Sequence, residues 1–256
     1  MAISAENMRF SPGVPVFDAQ ICVGGGRSAI EPAAERSAVI AELDRHGVAR
    51  ALAYHLHAEE FSPVRGNQLL EAWLGADDRL VPLWATLPTD ESLAQLAALR
   101  RAGRLRAARL VATHALPLAG WTHGELLGWL AQAGVPLWIA LPDVDARDLV
   151  ATLREFPQLR VVLAGAHYSD TLLAQKIMAT LPSVSIELSR FESLGAISDL
   201  VARFGAERLL YGSWYPRYAL GPMLYCLHHC GLPAAALAQI CAGNLARLLA
   251  APQEQP

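Results

Sequence analysis

Histidines supply the first candidates for chemistry in this chain. His55-Leu56-His57 sets two imidazoles one residue apart, and Glu59 continues the same parity. On a strand that spacing aims every second side chain to one side. His114 and His167 fall near the expected ends of two other strands. Together the four could hold zinc, because a catalytic site needs three protein donors and an open position, or they could simply line a polar pocket. His167 alone could act as a general base, since imidazole titrates near neutrality; the plainer alternative is a loop histidine bonded to backbone. Glu187 and Arg190 bracket another strand end, where they could grip a polar substrate or form an ordinary ion pair.

Other patterns carry less. Gly24-Gly25-Gly26-Arg27-Ser28 could form a backbone nest for an anion, but without a fuller phosphate fingerprint a flexible turn is the better reading. Cys226-Leu227-His228-His229-Cys230 is half of a zinc pattern with nothing to complete it, and reads as a buried helix face. Trp121, Trp129 and Trp138 read as core or pocket walls. Lys176 is the only lysine and falls in an expected helix, which argues against Schiff-base chemistry and against a carbamylated-lysine metal bridge.

Positioning such residues requires a frame, and the chain supplies a rhythm. Short β-branched runs alternate with longer Ala/Leu-rich segments of helical period, the pattern of parallel strands joined by crossover helices. Strands are expected at 14–22, 49–55, 80–86, 107–113, 135–141, 159–163, 184–188 and 208–211. Helices are expected at 33–46, 66–75, 90–103, 123–133, 145–156, 171–181, 194–204 and 221–229, with a closing helix over 234–249. Such a count makes an α/β fold, a (β/α)8 TIM barrel in one domain over residues 1–256, with 251–256 a loose tail.

Composition agrees with that frame. The chain has 256 residues, is 53% hydrophobic, and carries a formal charge of -3, so it can bury one large core and offers no basic field for nucleic acid or anionic membrane. No signal-like start or spanning apolar run is read, and the four scattered cysteines suit reduced thiols; a cytoplasmic protein is expected. A small-molecule ligand is the expected partner, with homo-oligomer formation left open.

Several segments resemble one family in order along nearly the whole chain. Leu209-Leu210-Tyr211-Gly212-Ser213-Trp214-Tyr215-Pro216 resembles a last barrel strand ending in Gly-Ser-Asp-x-Pro, and Val16 to Cys22 resembles an opening Asp-x-His-x-His strand. The stretches 156–163, 183–189, 204–210 and 240–249 are similar to the family's later strands and closing helix. The family is the amidohydrolase-related branch of metal-dependent hydrolases, which includes aminocarboxymuconate semialdehyde decarboxylase. The resemblance implies metal ligands on the first strand, a further histidine on the fifth, an active-site histidine after the sixth and an acid after the last.

Those positions are mostly altered here. By period two, Asp18, Gln20 and Cys22 share a face, which puts Gln20 and Cys22 on the paired-histidine positions. Residues 135–141 offer no ligand, Trp214 replaces the acid, and His167 lies two residues beyond the sixth-strand position, where Gly165 stands. The expectation is therefore a divergent family member without cofactor or metal, zinc being conceivable only through a relocated His55, His57, His114 and His167 site. Its mouth, with Asp18, Gln20, Cys22, His55, His57, His114, Glu187, Arg190, Trp214 and Tyr215, would bind a small polar organic molecule with altered or no hydrolase activity. The alternatives are an active hydrolase or carbon-carbon lyase using His167 or the relocated metal, and a non-catalytic structural subunit.

Overall fold

The computed structural model describes residues 10–25, 35–75, 78–113 and 115–250. His114, Arg27 with its glycine neighbour Gly26, and the 251–256 tail lie outside the described residues. The strands are β1 (Phe17–Val23), β2 (Arg50–His55), β3 (Leu80–Pro82), β4 (Trp84–Thr86), β5 (Ala108–Leu110), β6 (Leu137–Ala140), β7 (Val161–Ala164), β8 (Val184–Glu187) and β9 (Leu209–Leu210). All pair in parallel, in the orders β1-β2-β3 and β4 through β9. β3 and β4 are one expected strand, broken at Leu83, whose N–H still reaches Ala53 O at 2.8 Å. Ala19 N–H to Tyr211 O at 3.0 Å and Trp214 N–H to Gln20 O at 3.1 Å join the last strand to the first. The result is the expected eight-position TIM barrel.

Helices α1 (Arg36–Arg45), α3 (Pro63–Leu74), α4 (Asp90–Arg101), α5 (Gly120–Ala133), α6 (Ala146–Leu153), α7 (Thr171–Thr180), α8 (Leu194–Phe204) and α9 (Gly221–His229) follow the strands, and α2 (Leu56–Glu60) is a single short turn. Local chemistry sets several ends. Ser62 Oγ accepts Arg65 N–H at the start of α3 with Pro63 in the first turn, and Thr89 does the same for α4. Gly134 closes α5 in the left-handed region at φ 64, which a side chain would oppose. The closing segment is α10 (Ala234–Ala238) and α11 (Asn244–Leu249), joined by a π turn over Gln239–Gly243.

Alternation along the strands divides the core in two. Val161, Leu163, Leu137 and Ile139 face outward onto the helices, while Val162, Ala164, Trp138 and Ala140 fill the barrel. Trp121 corrects its expectation as a core or wall residue: at the start of α5 it is 80% exposed. Cys226 and Cys230 are free thiols on a buried face, as read.

Candidate functional site at the barrel mouth

Two details of the strand ends shape the mouth. β1 carries one extra residue, since Asp18 pairs with Ala51 but Ile21 with Ala53. The period-two reading fails across this bulge. Phe17 and Ala19 below it and Cys22 above it all join the inner cluster, while Gln20 also reaches inward. Asp18 instead turns back on the bulge, accepting Gln20 N–H and Ser213 N–H, each at 3.0 Å. The second detail is β2. It ends at His55, so His57 sits in α2 and the His-x-His pair does not share a strand face.

Arg109 is the centre of the arrangement. It stands at an inward position of β5, only 1% exposed. Its Nη1 donates to Gln20 Oε1 at 3.0 Å and its Nη2 to Glu59 Oε1 at 2.6 Å. The guanidinium lies over the Tyr54 ring at 4.4 Å and the Trp214 ring at 5.5 Å. Tyr54 OH donates to Glu59 at 3.2 Å and accepts Trp214 Nε1–H at 2.8 Å. Arg217, on the loop after the last strand, donates to the other Glu59 oxygen at 2.5 Å. Glu59 thus joins two arginines and a tyrosine from three separate parts of the barrel rim.

Small residues make the space for this cluster. Ala140, Ala164, Gly165 and Gly212 stand where larger side chains would fill the mouth. A Cβ on Gly165, which has φ 70, would overlap the Trp214 ring; one on Gly212 would overlap the Glu187 carboxylate. Trp214 itself has φ 53 and is almost wholly buried.

Glu187 is buried at the end of β8, where it accepts Ser189 N–H at 2.7 Å, Ser189 Oγ–H at 2.9 Å, Gly165 N–H at 3.2 Å and Gln20 Nε2–H at 3.3 Å. This corrects the ion-pair alternative: its partners are neutral donors. Burial raises its pKa to about 8, helped by Asp18, and burial raises that of Asp18 to about 7. Arg190 lies apart from Glu187, with its guanidinium 4.7 Å from the Tyr218 ring.

Among the described residues, His55, His57 and His167 do not converge on one point. His55 caps α2, its Nδ1 accepting His57 N–H at 3.1 Å, and burial, with His57 adding to it, pushes its pKa down to about 4. His57 packs beside Phe61, ring centres 4.8 Å apart. His167 lies at the rim, where its Nδ1 meets Ser169 Oγ at 2.7 Å and Ser169 N–H at 3.2 Å, the bonded-loop alternative of the sequence reading. Tyr215 is largely buried under the mouth, its N–H held by Ser213 Oγ at 3.0 Å.

Among the described residues, this donor set does not fit a catalytic metal. The Gln20 amide is engaged by Arg109 and Glu187. Burial, reinforced by Glu59, pushes the Cys22 thiol up to about 12. Among the described residues, no three His, Cys, Asp or Glu side chains group in a way that could hold an ion.

Sequence reasoning missed Arg109, Tyr54, Arg217 and Ser189. A signal for Arg109 was present: Ala107 and Arg109 share a parity opposite to Ala108 and Leu110, so a charge occupied an inward position on a barrel strand.

Comparison with known proteins bears on the whole chain. The family model described as amidohydrolase matches residues 24–250. The sequence matches no curated protein. Among solved structures, 5-carboxyvanillate decarboxylase from Sphingomonas paucimobilis superposes with TM-score 0.74 at 14% identity, covering 93% of this chain and 99% of that one. The 2,6-dihydroxybenzoate decarboxylase from Rhizobium gives 0.73 at 14% identity, covering 92% and 98%. A dihydroxybenzoic acid decarboxylase from Polaromonas, with bound manganese and the inhibitor 2-nitroresorcinol, gives 0.72 at 13%, covering 92% and 97%. At these identities the likeness shows the barrel fold. Among the described residues, no helix is long and apolar enough to cross a membrane.

Proposed function

The chain belongs to the amidohydrolase family, and from that premise we propose that its barrel mouth binds a small organic acid, without a resident metal and without the family's hydrolytic chemistry. The observation that carries this reading is Arg109, whose guanidinium is bonded to Gln20 at a position where the family resemblance calls for a metal-binding histidine. Around it the rim offers cations laid on aromatic faces: Arg217 at 5.0 Å from the Trp214 ring and Arg190 at 4.7 Å from the Tyr218 ring. Such pairs suit a flat anion, because a guanidinium fork matches a carboxylate and the rings accept a planar body. The similar structures are named for acting on aromatic carboxylates, which supports the same ligand class. His167 belongs to the rim in this reading, its Nδ1 being engaged by the turn that follows it.

Calorimetric titration of the protein in chelator with benzoate and 2,6-dihydroxybenzoate tests it. Both are expected to bind, and the uncharged resorcinol to bind at least about tenfold more weakly, the loss of one charge-assisted contact. Arg217→Ala should weaken the acids by a similar factor. Binding that needs added manganese, or release of carbon dioxide from the acids, would replace this reading with a metal-dependent lyase.

A further inference from the structure

The mouth gathers acceptors that need a positive charge between them. Gln20 offers Oε1 from the bulge of β1, Glu59 offers a carboxylate from α2, and both turn toward the same buried point. In the family that this chain resembles, such a point is where ligands from separate strands meet a metal. We propose that Arg109 is a tethered cation that replaces a metal ion as the organising charge of this mouth, so that the site assembles without ion uptake.

Three features carry the inference. The guanidinium spans two acceptors on different elements, at 3.0 and 2.6 Å, and a planar fork can do this where a lysine's single ammonium cannot with the same geometry. It is stacked on Tyr54 at 4.4 Å and faces Trp214 at 5.5 Å, two aromatic surfaces that suit a delocalised cation and give no lone-pair donor set to a divalent one. A divalent ion added at the same place would also stand in contact with a buried positive charge, and Coulomb repulsion at such range is large in a low-dielectric interior. The other substitutions agree with this exchange. Trp214 occupies the position of the missing acid, and its ring covers the arginine; Gln20 stands where a histidine is expected, and its amide oxygen accepts from the guanidinium.

Arg109 is a positioning residue here, acting through Gln20 and Glu59. The inference deepens the metal-free reading of the mouth, and its test uses no organic acid, so failure of acid binding leaves it standing. Full-length protein purified without a histidine tag is assayed for bound metal and melted in chelator, in manganese chloride and in zinc chloride. Far less than one metal equivalent, and melting temperatures within about 1 °C of one another, are expected, because an ion that bound only the folded state would raise them. Arg109→Ala should melt roughly 10 °C lower, the scale of a buried charge pair broken on one side. Methylguanidinium should recover part of that loss where sodium chloride of equal ionic strength does not, and Arg109→Ala combined with Glu59→Gln should abolish the rescue. A purely structural loss of packing would not depend on Glu59 in this way. Near-stoichiometric manganese or zinc in the unmodified protein, stabilisation of it by several degrees on metal addition, or rescue of Arg109→Ala by metal and not by methylguanidinium overturns the proposal. If Arg109→Ala does not fold, the metal content and melting of the unmodified protein decide alone.

Discussion

The wall formed by β6 and β7 and the seam where β9 meets β1 are built to opposite rules. Across β6 and β7, Leu137 to Ala140 match Val161 to Ala164 without a shift, and every residue of both strands is buried. At the seam, β9 is only two residues long and β1 carries an extra residue. Asp18, Gln20, Glu187 and Ser213 are all buried beside it. The regular wall is held by packing. The seam is held by backbone N–H groups of Gln20, Ser213, Gly165 and Ser189, each aimed at a carboxylate. The contrast shows where this fold tolerates polarity: irregular backbone frees N–H groups from the strand ladder, and these bond both oxygens of Glu187 and one oxygen of Asp18, whose Oδ2 stays without a partner.

Acidity should separate the two regions most. The unfolded carboxyls titrate near 3.8 and 4.5, and burial holds Asp18 at about 7 and Glu187 at about 8. Between these limits the folded protein binds more protons, so their contribution to stability is complete below about pH 4 and is lost as pH rises through about 7 to 8. The loss attributable to Asp18 is on the order of 2 to 4 kcal/mol. Urea unfolding at roughly pH 5 and roughly pH 9 should show it, Asp18→Asn should remove roughly half of the difference, and Asp18→Asn combined with Glu187→Gln most of it. An equal pH slope in the double variant would mean that the seam carboxyls are not the source.

The regular wall should answer to volume instead. Leu163→Ala, on the outward face of β7 and fully buried, is expected to cost about 3 kcal/mol with no change in pH slope. A cost below about 1 kcal/mol would show a wall loose enough to collapse around the hole. Gly165→Ala lies between the two regions and should cost about 2 kcal/mol, combining a left-handed backbone with overlap on Trp214. It should also disturb the mouth, read as a change in tryptophan fluorescence. An unchanged spectrum would mean that the ring has room the structure does not give it.

The barrel was legible because strand-helix alternation is a long-range pattern repeated along the chain. Helices α8 and α9 fall where the helical period places them, at Leu194–Phe204 and Gly221–His229. Strands were read too long, as at 107–113 against Ala108–Leu110, because apolar composition continues past the last paired residue. The residue types at the positions of resemblance were also legible, since Gln20 and Trp214 are poor metal donors whatever surrounds them. What surrounds them was hidden. The bulge in β1 has no local signature in Asp18-Ala19-Gln20-Ile21, and it decides which side chains face inward. The partnership of Arg109 with Glu59 spans β5 and α2, so no window of sequence contains it. His55-Leu56-His57 misled for a related reason: the strand ends inside the motif, and an i,i+2 pair shares a face only while the strand lasts.

The brevity of β9 has a consequence for synthesis. Its backbone is secured from later in the chain, by Asn244 Nδ2 donating to Ala206 O at 2.7 Å and to Leu209 O at 2.9 Å, and by Tyr211 N–H on Ile240 O at 2.8 Å. A nascent chain emerges N-terminus first. While the closing helices are still in the ribosomal tunnel, β9 has its short pairing with β8 and the Ala19–Tyr211 and Trp214–Gln20 bonds to β1, but not these later ones. The bonds of Asn244 are thus added only after all the barrel strands have been made, which ties a side chain far from the mouth to the seam on which the mouth is built.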